Sequence, residues 1–172
     1  MEIILVRSGI GQAWPEESLV QRKVFSIYEA VESGVQAAII SSPSPSHVKQ
    51  AIEFARSGIH LLIEKPLSHD LQNIPELMSL ASEQRIIALV GYVLRYDPAA
   101  RFFKELLQSG VIGVTLHARI ECGSYLPDWR PDQDFRQSVS AQKELGGGVL
   151  LELSHELDYI RWFFGDMENL YA

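Results

Sequence analysis

Cysteine is nearly absent from the sequence. Cys122 is the only copy, so no internal disulfide can form, no cysteine-based metal spacing exists, and a reducing compartment is the expectation. Long apolar runs are missing too: the longest, Ile86 to Leu94 with its glycine, has nine residues, against the roughly 20 that a membrane span needs. The start, MEIILVRSG, carries an acid where a secretory leader carries basic residues, so no leader and a cytoplasmic location are expected. Basic residues are the minority charge. Fifteen Lys and Arg face 22 Asp and Glu, a formal charge of −7, which disfavours a nucleic-acid backbone or an anionic membrane as the main partner. A small neutral or locally steered ligand fits better. There is no internal repeat and no low-complexity tract. What is present is ordinary: 172 residues, 47% hydrophobic and 22% charged, suffice for a packed core and are too apolar for wholesale disorder.

Short runs rich in Ile, Val and Leu alternate with helical patterns over the first 95 residues, as strands covered on both faces do. The runs are Ile3–Val6, Ala37–Ser41, His60–Glu64 and Ile86–Val93, and they predict a doubly wound parallel sheet. Ser26 and Glu29 have capping-box spacing, with Gly34 placed to end that helix. A helix over 46–57 ends at Gly58 and carries Val48, Ala51, Ile52 and Ala55 on one stripe. Asn73 repeats the cap logic, with Pro75 in the first turn. Beyond Tyr92 the pattern changes. Asp97-Pro98 opens a helix that Gly110 closes, Val114–Cys122 reads as a strand with one polar face, and residues 123–145 are turn-rich and polar. The triple glycine 146–148 then leads into one helix expected over Val149–Phe164.

Several residues carry possible chemistry. Lys65 ends a strand, where ligands bind in open parallel sheets, and a lysine there can polarise a reacting hydroxyl; a surface lysine finishing a strand is the plain alternative. Glu152 and His155 stand three apart on the last helix, a spacing that suits a carboxylate orienting an imidazole base; a packed, satisfied histidine is the other reading. Asp158 is expected to pair with Arg161 on the helix surface, and Trp162 to Phe164 to pack in the core. Gly9 and Gly11 make a poor dinucleotide fingerprint, since Trp14 holds the third glycine position and Pro15 follows; a flexible turn is the better reading. Ser41 to Ser46 is a polar turn into a helix whose free amides could face a ribose or phosphate, or simply a strand-to-helix turn.

Together these residues resemble the Gfo/Idh/MocA family, the group of glucose-fructose oxidoreductase and inositol dehydrogenase. Ala38 to Pro43 with His47 resembles the turn beside the nicotinamide, Glu64-Lys65-Pro66 the family signature, Gly91 to Pro98 the domain-crossing segment, and Gly146 to Asp158 the catalytic helix. The resemblance implies that His155 takes the substrate hydroxyl proton while hydride passes to the nicotinamide. Lys65 would polarise the oxygen and Glu152 would hold the site. It further implies cofactor contacts from Arg7, Ser8, Ser41, Ser42, Pro43, His47, Glu64, Lys65 and Arg95, with no metal. Arg7 suits a 2′-phosphate and tilts the expectation from NAD towards NADP.

The sequence also departs from the family. It begins at the family's second strand, so the glycine-rich phosphate turn is expected to be missing and cofactor binding weakened. Glu152 stands where Asp is usual, His155 follows it one residue early, and Val93 replaces a frequent Asn. The carboxyl end is expected to leave the strand Val114–Cys122 short of partners, which favours self-association through the second domain. The implied fold is α/β: an incomplete Rossmann-like doubly wound sheet over 1–95, then the start of an α+β substrate domain over 96–172. The implied function is NAD(P)-dependent hydride transfer with a sugar, cyclitol or sugar-nucleotide carbinol. A non-catalytic remnant or interaction module of the same fold is the alternative, and a plain sugar-binding subunit a third.

Overall fold

The computed structural model describes residues 2–9 and 13–171. The Gly9–Gly11 turn therefore lies partly outside the described residues. Strand β1 (Ile4–Val6) pairs in parallel with β2 (Arg22–Val24), in the register Ile4↔Arg22, Leu5↔Lys23, Val6↔Val24. Hydrophobic runs do not reveal β2, because two of its three residues are exposed cations. A second sheet has the order β3 (Ala37–Ile40), β4 (His60–Ile63), β5 (Ala88–Val90), with β3 and β4 parallel. Among the described residues the two sheets are separate ladders. The helices between them are α1 (Ile27–Glu32), α2 (His47–Arg56) and α3 (Ile74–Glu83). The result is a mixed α/β, Rossmann-like fold.

The local signals act through identifiable bonds. Ser26 Oγ accepts from the Glu29 N–H at 3.1 Å, and Gly34 leaves the helix at φ 75°. Asn73 behaves otherwise. It caps α3 with a left-handed backbone (φ 60°) and no side-chain cap bond, its carbonyl accepting from Leu77 N–H at 3.1 Å. The side-chain cap expected there requires extended backbone, which Asn73 does not have.

The chain divides into two compact units. The first comprises Met1–Ser42, Ser46–Ile63 and Leu71–Leu89. Its core packs Val48, Ala51, Ile52 and Ala55 of α2 with Ile40, Leu61 and Ile63 of the sheet, all buried. Each buried Val, Ile or Leu side chain among them contributes about 1.5–3 kcal/mol. His60 pins β5 by accepting the Ile87 N–H on Nδ1 at 2.9 Å.

The second unit comprises Pro43–Pro45, Glu64–Asp70 and Val90–Ala172. Helix α4 (Pro98–Ser109) is capped by Asp97, whose side chain accepts from Ala100 N–H at 2.9 Å, and ends at Gly110. The strand expected over Val114–Cys122 does not form. A strand exists only through a ladder, and no described segment pairs with this one, so Val114 and Leu116 stand 85% and 94% exposed. The single helix expected over Val149–Phe164 is two, α5 (Val149–Glu152) and α6 (Ser154–Phe164), broken at Leu153. Trp162 and Phe163 stack 5.1 Å apart, and Phe103 meets Phe163 edge-on at 5.1 Å; the cluster is half-buried rather than core. No helix among the described residues is long and apolar enough to cross a membrane.

Candidate functional site

Lys65 follows β4, with its peptide to Pro66 cis. Its Nζ donates to the Glu152 carbonyl at 2.9 Å and lies 3.4 Å from Glu152 Oε2, with both side chains largely shielded. The helix break falls at this contact. The Glu152 carbonyl accepts from Lys65, and the Glu156 N–H, which regular helix geometry would send to that carbonyl, bonds Leu153 O at 2.9 Å, a tighter i to i−3 turn. The Lys65 N–H donates to Glu64 Oε2 at 3.2 Å. A Cβ on Gly91 would come within 3.3 Å of that oxygen, so glycine leaves room for the Glu64 carboxylate.

The expected pairing of Glu152 with His155 is not formed. Glu152 is engaged by Lys65, and the carboxylate beside the imidazole is Glu156, with His155 Nε2 3.4 Å from Glu156 Oε1. Glu156 also accepts from the Tyr159 hydroxyl. Burial, then the bond to Glu156, pushes the Tyr159 phenol up to about 12. Glu156 and Tyr159 were missed by motif spacing, although an acid next to the histidine and a tyrosine three residues on were both visible.

The expected Asp158–Arg161 pair is also replaced. Arg95 Nε and an Nη donate to the two Asp158 oxygens at 2.8 Å each, and Arg161 turns to Asp166. A fork of two parallel bonds outcompetes a single helical neighbour. That bond raises the Arg95 pKa, and its guanidinium lies 5.8 Å from the Trp162 ring centre.

Gly147 sets the entry to α5. A Cβ there would overlap Val139 O and lie 2.7 Å and 2.8 Å from Ser140 O and Gln142 O, so only glycine lets the chain pass. Beside it opens a cavity of about 450 Å³ lined by His69, Ser140, Lys143, Gly147 and Leu150. Neither Lys65 nor His155 lines it.

In the first unit, His47 is buried and donates from Nε2 to the Ser42 carbonyl at 2.6 Å, while Ser42 Oγ donates to Gln50 at 2.7 Å. The two bonds fix the polar turn after β3, leaving Ser41 exposed. In the second unit, Pro43 is exposed as well. At the end of β1 the Arg7 N–H donates to Val24 O at 2.9 Å, and its guanidinium lies 3.4 Å from Glu17, which also holds Lys23 at 2.9 Å. Ser8 is exposed next to it. Hydroxyls and helix-start amides at one strand end, and two cations at another, are donor chemistry that fits ribose and phosphate groups. No group of three or more His, Cys, Asp or Glu among the described residues is arranged to hold a metal.

Two compact units, one Rossmann-like and one carrying a lysine–glutamate pair near a histidine, define the class, and comparison with known proteins gives the family. A profile for an oxidoreductase family with an NAD-binding Rossmann fold matches residues 6–92, and a Gfo/Idh/MocA C-terminal domain profile matches 100–172. The chain belongs to the Gfo/Idh/MocA oxidoreductase family. It is 30% identical over 162 residues to a 1,5-anhydro-D-fructose reductase of Ensifer adhaerens, covering 91% of this chain and 46% of that protein. It is 30% identical over 135 residues to a 2,7-anhydro-N-acetylneuraminate hydratase of Mediterraneibacter gnavus, covering 77% and 34%. A myo-inositol 2-dehydrogenase from Lactobacillus plantarum shares the fold, with a TM-score of 0.75 at 24% identity, over 88% of this chain and 44% of that one. The chain thus spans less than half the length of these relatives.

Proposed function

We propose that this chain takes part in NAD(P)-dependent hydride transfer with a sugar, cyclitol or sugar-nucleotide carbinol. The carrying observation is Lys65 held by Glu152 three residues before His155, all within one compact unit. Lys65 presents an ammonium to the substrate oxygen and stabilises negative charge developing there. His155 accepts the hydroxyl proton, so the carbinol carbon becomes a carbonyl as hydride departs. Glu152 fixes the lysine. A bound nicotinamide supplies the hydride acceptor.

Ser41, Ser42, Pro43, Ser8, Arg7 and Glu64 are the residues assigned to the cofactor. His47 acts by shaping the Ser42 turn, and Arg95 by steadying α6 through Asp158. Arg7 beside Lys23 favours a 2′-phosphate, hence NADP over NAD. A division near residue 95 separates the cofactor part from the substrate part. The reductase relative supports a sugar-like substrate, the exposed Val114 and Leu116 support self-association through the second part, and the exposed thiol of Cys122 suits the cytoplasm.

Fluorescence titration of NADPH and NADH into the purified chain tests the reading. Saturable binding, tighter for NADPH and with a Kd between about 10 μM and 1 mM, is expected. No saturable binding of either would overturn it. So would unchanged carbinol-dependent nicotinamide reduction in both Lys65→Ala and His155→Ala.

A further inference from the structure

Helix α6 carries His155, yet α5 does not dictate how α6 is turned. The two part at Leu153, and α6 begins there without a side-chain cap. Lys65 anchors only the first of them, through Glu152 at its end. A break in the backbone ladder leaves the second helix to be oriented by a tie of its own. Arg95 supplies it. From the short turn Val93–Tyr96 its guanidinium donates to both Asp158 oxygens at 2.8 Å each and lies 5.8 Å from the Trp162 ring centre. His155, Asp158 and Trp162 stand at i, i+3 and i+7, one stripe of the helix. A fork of two parallel bonds fixes direction as well as distance. Arg161, the helical neighbour placed to compete for Asp158, is held by Asp166. The turn that bears Arg95 is itself set beside the lysine, since Gly91 lies against the Glu64 carboxylate and that carboxylate accepts the Lys65 N–H. All of these residues belong to the second unit.

We propose that Asp158 and Arg95 are positioning residues for His155, their fork turning α6 so that the imidazole faces the substrate oxygen that Lys65 serves. The proposal rests on the reading of Lys65 and His155 as the reacting pair. It gives the broken helix two anchors, Glu152 held by Lys65 and Asp158 held by Arg95, with His155 three residues from each. Neither anchor touches the reacting atoms through Asp158 or Arg95, so the fork acts on rate through geometry alone.

Residual dipolar couplings of the backbone amides in the labelled chain read the orientation of α6 against α5 without any turnover. Arg95→Lys keeps the charge and cannot form the fork, and Asp158→Asn keeps the shape and loses the charge. In both, the α6 couplings shift together as a set while those of α5 hold and helicity is retained; either variant serves if the other does not fold. Arg161→Ala, which frees Asp166 instead, leaves the α6 set in place. Kinetics with NADP and a panel of myo-inositol, glucose and 1,5-anhydroglucitol then show kcat lowered about tenfold to a hundredfold in the two fork variants. KM and the NADPH Kd stay within about twofold, the pattern of misplaced groups rather than of lost binding or lost fold. Unchanged α6 couplings in the fork variants overturn the proposal, and so do shifted couplings with an unchanged kcat. If the couplings shift as stated but NADPH and NADH fail to bind, or no carbinol of the panel is oxidised by the wild type, the functional reading falls and takes the catalytic purpose of the fork with it, while the anchor of α6 stands.

Discussion

The two units hold themselves together by different means. Among the described residues every fully buried apolar side chain, from Val24 to Leu77, belongs to the first unit. The second unit, which carries Lys65, Glu152, His155 and Glu156, has none, and it relies on ion pairs, a half-buried aromatic cluster and glycines that let backbone pass close. Burial of apolar area is non-directional and large in sum, whereas each partly exposed ion pair is worth about 1 kcal/mol or less. The first unit therefore sets stability and the second sets geometry. Substitutions should separate the two.

The largest expected effect lies in the first core. Ile63→Ala removes a 1% exposed side chain between β-sheet and α2 and should cost about 2–5 kcal/mol in urea unfolding. Leu116→Ala, at 94% exposure in the second unit, should stay within about 0.5 kcal/mol. Equal losses would break the contrast. The Arg95–Asp158 fork ties the second unit with two parallel charged bonds. Asp158→Ala should cost about 1 kcal/mol, discounted for the 41% exposure of the Arg95 side chain, and should alter Trp162 fluorescence as the guanidinium leaves the ring. An unchanged Trp162 signal would show that the aromatic cluster stands without the fork.

Sequence periodicity was most informative where burial decides structure. The α2 stripe, the β3 and β4 runs, the Ser26 cap and the Gly34 and Gly58 stops all lie in the first unit, and each answers to a local rule that leaves a residue pattern. The α4 boundaries are the second unit's counterpart, because Asp97-Pro98 and Gly110 are equally local. Strand β2 escaped, since Arg22 and Lys23 are outward-facing and only Val24 is buried. The family motifs point to Lys65 and His155, and they do not name the residues these two contact. Glu152 or Glu156, Arg161 or Arg95: the deciding partners, Lys65 for Glu152 and Arg95 for Asp158, stand 87 and 63 positions away, and no helical spacing encodes that competition. The strand expected over 114–122 failed for a related reason, because alternation specifies a face and not the neighbour that completes the ladder.

The first unit contains its own ionic cluster, and it sharpens the comparison at smaller energies. Arg7→Ala should weaken NADPH about tenfold while leaving NADH within about twofold, because only the former carries a phosphate for that guanidinium. Equal losses for both would assign Arg7 to holding Glu17 alone.

The smallest effect concerns Glu17 as a carboxylate. The Lys23 ammonium, then the Trp14 backbone and Arg7, hold its carboxyl below the usual carboxylate range. A lowered folded value means that the unfolded chain binds this proton more readily. The cluster's stabilisation is thus complete above the ordinary range and lost as pH falls through the folded value, from about pH 5 downward. Urea midpoints measured from neutral pH into acid should fall less steeply in Glu17→Gln and in Lys23→Ala than in the wild type. A slope unchanged in both would assign the acid sensitivity to other carboxylates, such as Glu76 beside Arg56 in the same unit or the ion pairs of the second unit.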